Sequence, residues 1–313
     1  MEELKNIRVG ILEGGISEER DISLLSGEQV YYSLKKANIN SIRLDIYTDD
    51  EKIIKKMIQE SRIDIAFVAL HGRFGEDGQI QRVLEDLNIP YTGSDPYASF
   101  LAMNKIASKR IFLEKNIPTP PFYFLENKKK TKINLKFPVV VKPYFSGSSI
   151  GVSIVKKEED LNEALKKAFY WGEKVIIEKY IEGRELTVGI LEEKALGVVE
   201  IKYKDDFFNF HTKYGEGKTE IIAPAQLEES IYKKVQKIAL SAHKALGCRD
   251  FSRVDIRLDK NGNPFVLEVN SIPGLTSHSL LPLSAKCCGI SFDELIKKMI
   301  ILALRRKVLA FNQ

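Results

Sequence analysis

Along the N-terminal part of the chain, short continuous apolar runs alternate with stretches whose apolar residues recur at helical spacing. Residues 7–12 form one such run, closed by Gly14-Gly15. Residues 22–37 carry a helical pattern, Ser41–Ile46 reads as a second strand, and residues 64–70 are a third apolar run ending in His71-Gly72. Strands alternating with helices predict a parallel sheet with crossover connections. Such sheets gather ligands at the carboxyl ends of their strands, where both glycine turns fall. A break follows at 91–96 and a turn cluster at 116–121. Beyond it, short strands at 139–142, 151–156 and 174–179 surround one helical stretch, 158–169, which predicts a small α+β unit. From 185 onward come more strands, a long polar loop at 204–219, a helix over 228–246, a hairpin and a terminal helix over 292–309. The expected architecture is therefore α/β and α+β, divided into residues 1–96, 97–181 and 182–313.

The hairpin carries the most chemistry. Arg253-Val-Asp-Ile-Arg-Leu-Asp259 is followed by Lys-Asn-Gly-Asn and then by Pro264-Phe-Val-Leu-Glu-Val-Asn270. Asn261-Gly262 signals a two-residue type I′ turn, in which both central residues need positive φ. That turn sets Lys260 opposite Asn263, Asp255 opposite Glu268 and Arg253 opposite Asn270. Side chains alternate along a strand, so Arg253, Asp255, Glu268 and Asn270 share one face. The other face would carry Val254, Ile256 and Leu258 against Val269, Leu267 and Phe265 as a core side. Carboxylates directly opposite each other repel, so a cation between them is expected. Asp, Glu and Asn oxygens suit Mg²⁺, which takes one or two carboxylates together with substrate phosphates. An arbitrary hairpin with two acids is more often a solvated face, but the register, the amide and the adjacent arginine reverse that preference.

Lys142 ends a β-branched strand and precedes Gly147-Ser-Ser-Ile-Gly151. A small glycine-rich loop offers backbone N–H groups to phosphate with lysine as counter-charge. It is not a P-loop, because the G-x-x-x-x-G-K-[ST] order is absent, and taken alone most such loops are turns. The segment from Glu178 to Glu185 reads equally as an interdomain strand and as an ordinary strand end. In Pro273-Gly-Leu-Thr-Ser-His-Ser-Leu280, a glycine loop entering a helix could offer N–H groups to an anion, or Ser277 or Ser279 could simply cap the helix. The histidines lack metal-ligand spacing, and His243 reads as a helix-surface residue.

Composition narrows the classes. The chain has 313 residues, enough for two or three domains, with 44% apolar and 29% charged residues, a globular balance. No apolar run approaches the roughly 20 residues needed to span a bilayer. The N-terminal MEELKNIRVG lacks the apolar stretch of a signal peptide, so a cytoplasmic protein is expected. Three cysteines, Cys248, Cys287 and Cys288, are too few for a disulfide framework and read as reduced thiols. The net charge of +5 is scattered, with Lys128, Lys129 and Lys130 as a solvated loop, and no basic stripe suggests nucleic acid.

Taken together, Gly14-Gly-Ile-Ser-Glu-Glu-Arg-Asp-Ile-Ser23, Leu70-His-Gly-Arg-Phe-Gly-Glu-Asp-Gly78, Lys142-Pro143, Gly147-Ser-Ser-Ile-Gly151, Glu178-Lys-Tyr-Ile181, Lys213-Tyr214, Arg253-Val-Asp255 and Glu268 through Leu280 resemble the D-alanine–D-alanine ligases of the ATP-grasp superfamily. The resemblance spans nearly the whole chain. It implies three domains, an N-terminal parallel-sheet domain followed by two that grip ATP. It implies that Lys105, Lys142 and Ser148 contact ATP, that Glu178, Lys179, Ile181 and Glu185 hold the adenosine, and that Lys213 approaches the γ-phosphate. Asp255, Glu268 and Asn270 would bind two Mg²⁺ ions, for which Mn²⁺ can substitute. Glu19 would take the first D-alanine's ammonium, Ser279 and Leu280 the second one's carboxylate, and His71 would lie at the substrate site. Ser148 and Tyr214 would link to Glu19 and close a loop over the site, while Arg253 and the Gly274 amide would stabilise an oxyanion. A homodimer is implied as well.

Three positions depart from the family pattern, Asn209-Phe210 where relatives often have Asp-Tyr and Asn104 where they often have Asp. Rival readings are a ligase making D-alanyl-D-lactate or D-alanyl-D-serine, an ATP-grasp ligase for another carboxylate, and a catalytically silent nucleotide-binding regulator. Tyr214 speaks against the ester-forming variant, Glu19 and Ser279 against the second, and the intact set of acids and lysines against the third.

Overall fold

The apolar run, helical stretch and second run at the N-terminus form β1 (Val9–Gly14), α1 (Arg20–Lys36) and β2 (Ser41–Ile46), followed by α2 (Glu51–Ser61) and β3 (Ile65–Val68). The computed structural model describes residue 4 and residues 6–126, 134–203 and 219–311, with 307–311 described by their backbone alone. β1 and β3 are buried at every position, as continuous apolar runs in a parallel sheet should be. The order is β2-β1-β3, all parallel. Leu12, Ala66 and Val68 face α2 and α3 (Gln79–Asp86), whereas Val9, Ile11 and Phe67 face α1.

The chain then enters α4 (Pro96–Met103) and α5 (Lys105–Glu114). Each has a side-chain cap, Asp95 accepting from the Ala98 N–H at 2.8 Å and Asn104 from the Ala107 N–H at 3.0 Å. The asparagine at 104 thus caps as an aspartate would. A four-stranded sheet follows, built from β4 (Phe122–Leu125), β5 (Val139–Pro143), β6 (Ser153–Val155) and, after α6 (Leu161–Tyr170), β7 (Val175–Lys179). Its order is β4-β7-β5-β6, antiparallel, with α6 packed on Val139, Val141 and Ile177.

The last sheet contains β8 (Gly183–Leu191), β9 (Lys194–Tyr203), β10 (Thr219–Ile222), β11 (Phe251–Asp259) and β12 (Pro264–Asn270), in the order β10-β9-β8-β11-β12. α7 (Glu229–Ala245) covers one face through Val235, Ala239 and Ala242. α8 (Leu280–Lys286) lies on the other, so close over Gly197 that a Cβ there would sit 2.3 Å from that of Cys287. α9 (Phe292–Phe311) turns back to the N-terminal sheet and buries Leu295, Ile296, Met299 and Ile300 against Val9, Ile11 and Val30. Among the described residues no helix is long and apolar enough to cross a membrane.

The segment 97–114 shares a core with the last sheet, Leu101, Ala102 and Phe112 packing with Leu186, Val254 and Val266. Three expectations change. The hairpin turn spans three residues, since the Asp259 N–H bonds the Asn263 carbonyl at 3.0 Å, and Gly262 alone in it takes positive φ, +76°. Asp259 decides this by accepting from the Asn261 and Asn263 N–H groups at 2.9 and 2.8 Å, an Asx-type turn. The core side of β12 is Pro264, Val266 and Val269, not Phe265 and Leu267, because the register shifts beside Leu267. His243 is buried rather than on the surface, its Nδ1 2.7 Å from Ser252 Oγ on β11.

Candidate active site

The shift at Leu267 is what builds the site. From the turn, β11 and β12 pair Leu258 with Pro264, Arg257 with Phe265 and Ile256 with Val266. The extra residue of a β-bulge then resets the ladder. Beyond it Asp255 faces Glu268 and Arg253 faces Asn270, the pairing expected from a two-residue turn. Two irregularities cancel, and the functional register is the anticipated one.

The facing carboxylates each have a cation of their own. Arg253 grips Asp255 through Nε and an NH2 nitrogen at 2.9 and 2.8 Å, and Thr187 on β8 donates to the same carboxylate at 2.7 Å. Lys105, the first residue of α5, places Nζ 2.9 Å from Glu268 Oε2 and donates to the Ser146 carbonyl at 2.8 Å. One turn further along α5, Lys109 is wholly buried and reaches Glu178 Oε2 at 2.8 Å, while Lys142 reaches Glu178 Oε1 at 2.6 Å. Burial pulls the Lys109 ammonium down to about 8, against the opposing pull of Glu178. Burial would push Glu178 up, but the charges of Lys109 and Lys142 outweigh it and hold the carboxyl below its ordinary range.

Two cavities meet here. The larger, about 490 Å³, lies between the central and last sheets and is lined by Lys142, Glu178, Lys179, Ile181, Glu185 and Asp255, among others. Glu185 accepts from the Tyr203 hydroxyl at 2.8 Å and pairs with Arg257 at 3.2 Å. Burial and Glu185 push the Tyr203 phenol up, so it stays a donor. The smaller cavity, about 250 Å³, is lined by Glu19, His71, Ser148, Arg253, Asn270, Gly274, Ser279 and Leu280. Lys105, Ser146, Gly147, Ile201, Tyr203 and Glu268 border both. The two cavities thus share a wall that includes the Lys105–Glu268 ion pair.

The loop between β5 and β6 reaches across to the N-terminal sheet. Ser148 and Ser149 hold φ of 49° and 57°, a costly backbone for residues other than glycine. In return the Ser148 hydroxyl donates to Glu19, which stands just before α1. His71, past the end of β3, is buried between Ser26 Oγ at 2.9 Å and the Ile272 carbonyl at 3.1 Å, tying the N-terminal sheet to the Ser271–Leu280 stretch. Ser279 occupies the position before α8, but its hydroxyl bonds Thr276 rather than the helix N–H groups. Asn270 Oδ1 accepts from the Ile272 N–H at 3.1 Å.

Sequence reasoning missed Lys109, Thr187 and Tyr203. The four-residue spacing of Lys105 and Lys109 on one helix face was a readable signal; the other two emerge only from cross-strand pairing. Lys213, Tyr214 and Asn209-Phe210 lie outside the described residues, as do Lys128, Lys129 and Lys130. Among the described residues no cluster of three or more His, Cys, Asp or Glu side chains could hold a metal. The donor set of Asp255, Glu268 and the Asn270 amide nevertheless has the hard-oxygen chemistry Mg²⁺ takes, with two carboxylates and room for phosphate oxygens.

The family model for the D-ala D-ala ligase N-terminus matches residues 46–94, and that for the D-ala D-ala ligase C-terminus matches residues 111–301. The D-alanine–D-alanine ligase of Geotalea uraniireducens is 44% identical over 306 residues, covering 97% of each chain. That of Trichlorobacter lovleyi is 45% identical over 302 residues, covering 95% of each. The crystal structure of the D-alanine–D-alanine ligase from Bacillus anthracis superposes with a TM-score of 0.87 at 36% identity. The structure of that ligase complexed with ATP gives 0.85 at 34%, and each covers 97% of this chain and 99% of the other.

Proposed function

The chain belongs to the D-alanine–D-alanine ligase family, and from that premise we propose how its two cavities divide an ATP-dependent ligation of two D-alanine molecules for peptidoglycan precursor synthesis. The observation that supports the proposal is the border at Lys105 and Glu268 shared by two cavities of about 490 and 250 Å³, to which this reading assigns the nucleotide and the amino acids respectively.

In this reading, Glu178, Lys179, Ile181 and Glu185 hold the adenosine end of ATP, and Lys142, Lys105 and the Ser148 loop meet the phosphates. Asp255, Glu268 and Asn270 would hold two Mg²⁺ ions, whose charge, when bound, offsets that of the transferring phosphoryl group. Glu19 takes the ammonium of the first D-alanine, and a carboxylate oxygen of that D-alanine attacks the γ-phosphorus, breaking the bond to ADP. Lys105 lies beside this path and neutralises developing charge. The product is an acylphosphate with a good leaving group. The second D-alanine docks its carboxylate at Ser279 and Leu280 and attacks the acyl carbon as a free amine. Arg253 and the Gly274 N–H stabilise the oxyanion, and collapse expels phosphate and leaves D-alanyl-D-alanine. Lys213 and Tyr214 belong to the same reading as γ-phosphate and loop-closing residues. So do a homodimer, a cytoplasmic location and the division at 96 and 181.

The test is phosphate release with D-alanine present and absent, together with product analysis in equal D-alanine and D-lactate from about pH 6 to 9. Strict D-alanine dependence with the dipeptide dominant throughout is expected. D-alanine-independent release would point to another acceptor, and predominant ester at the acid end would refute the role given to Tyr214. A neutral phenol there offers no cation to an anionic hydroxy acid, whereas an amino acid can attack after losing a proton.

A further inference from the structure

Lys109 has no place in the mechanism above, yet it is a fully buried lysine close to the nucleotide chamber. A buried ammonium is costly unless its partners compensate it. Its Nζ donates to Thr119 Oγ1 at 2.6 Å, and Thr119 donates onward to the Val266 carbonyl at 2.8 Å, the residue before the bulge. It also pairs with Glu178 Oε2 at 2.8 Å and lies 5.7 Å from the centre of the Phe122 ring. Glu178 is itself buried and is gripped from the other side by Lys142 at 2.6 Å. Two lysines thus share one carboxylate, and Lys142 and Glu178 both line the chamber.

The charge arithmetic gives Lys109 a task. With Glu178 ionised and both lysines protonated, the cluster carries one net positive charge. Without Lys109, Glu178 and Lys142 would form a closed pair of zero net charge, and Lys142 would face an anion as half of a neutral unit. Building on the nucleotide reading above, we infer that Lys109 is a positioning residue that acts through Glu178: by sharing that carboxylate it keeps the Lys142 ammonium available to the anionic nucleotide. A purely structural role would need only the Thr119 bond and the packing of the aliphatic stem. The sharing of Glu178 between two ammonium groups is what exceeds it.

A double-mutant cycle on the full-length enzyme separates the two. Lys109→Met keeps the stem and deletes the charge, and Glu178→Gln removes the shared anion. ATP binding is read by isothermal titration with a non-hydrolysable ATP analogue, and KM and kcat by phosphate release. Lys109→Met should weaken nucleotide binding by about tenfold or more, raising the KM for ATP with a smaller change in kcat and an unaltered KM for D-alanine. Lys109→Arg, which restores the charge, should recover much of the loss. In the Glu178→Gln background, where Lys142 is no longer neutralised, adding Lys109→Met should change affinity by less than about threefold. Additive losses would overturn the inference, as would unchanged affinity in Lys109→Met. Should Lys109→Met fail to fold by circular dichroism, Glu178→Gln against the double variant decides alone: equal affinity supports the inference and a further tenfold loss refutes it. A wild-type enzyme that does not bind the analogue would refute the nucleotide reading itself, a separate outcome.

Discussion

At the scale of single residues, opposed carboxylates turn out to be balanced before any metal is considered. Asp255 has Arg253 and Glu268 has Lys105, so the repulsion expected from their register is already offset. Glu268→Gln should therefore leave the melting temperature of the metal-free protein nearly unchanged. Turnover should fall at least about a hundredfold, because the variant removes a charge from the one wall common to both chambers. Thermal denaturation and steady-state phosphate release check the two halves. Near-normal turnover at saturating Mg²⁺ would remove Glu268 from the chemistry. The opposed acids were legible from sequence because strand alternation fixes which side chains share a face, and Lys142 because it ends a strand just before a glycine-rich loop. The spacing of Lys109 from Lys105 placed it on the same helix face, but a lysine in an ordinary helix is usually solvated, and only packing shows that this one is buried.

At the scale of elements, the hairpin separates its turn from its site. Gly262 sits at φ +76°, and a Cβ there would come 3.1 Å from the flexible tip of Ile231. Gly262→Ala should thus cost about 1 kcal/mol, mostly from the left-handed backbone. The bulge at Leu267 sets the register of Asp255 and Glu268, so KM and kcat should not move. Urea unfolding and kinetics on the same variant test this, and a lost activity with unchanged stability would break the argument. The contact of α7 with β11 gives a pH dependence. Burial pulls the His243 imidazole from 6.5 down to about 4, so the unfolded chain binds the extra proton first. Its stabilising share is complete above pH 6.5 and is lost as pH falls from 6.5 toward 4. Over that range the wild type should lose on the order of 2 to 3 kcal/mol relative to His243→Gln. Parallel unfolding curves for the two proteins across this window would show that His243 is not the group responsible.

At the scale of the whole molecule, the cores cut across the chain order. α9, from the far end of the sequence, supplies Leu295, Ile296, Met299 and Ile300 to the core of the first sheet, and α4 and α5 supply Leu101 and Phe112 to the last. Residues 1–96 expressed alone would expose that face of β1 and β3. Large buried aliphatic residues contribute about 2 to 5 kcal/mol each when deleted, more together than a small domain's whole margin. The isolated fragment should be unfolded or molten by circular dichroism and amide NMR, and a peptide spanning 292–311 should restore dispersion. A sharply dispersed spectrum from 1–96 alone would show that the first unit stands by itself.

Local pattern was enough for the parallel strands of the first sheet, the opposed acids of the hairpin and the family. Period-two and helical patterns are local, the opposed acids follow from alternation along a hairpin, and the ordered motifs carry the family. The rest depended on packing between distant segments. The tertiary structure showed that Asp259 closes a longer turn and that a bulge restores the register, because turn type depends on which N–H groups find acceptors. It also showed that Lys109 and His243 are buried, that Ser279 bonds Thr276 instead of capping, and that two cavities share one wall. Burial and shared walls are properties of segments distant in sequence, and no local pattern encodes which distant surface an amphipathic element will meet.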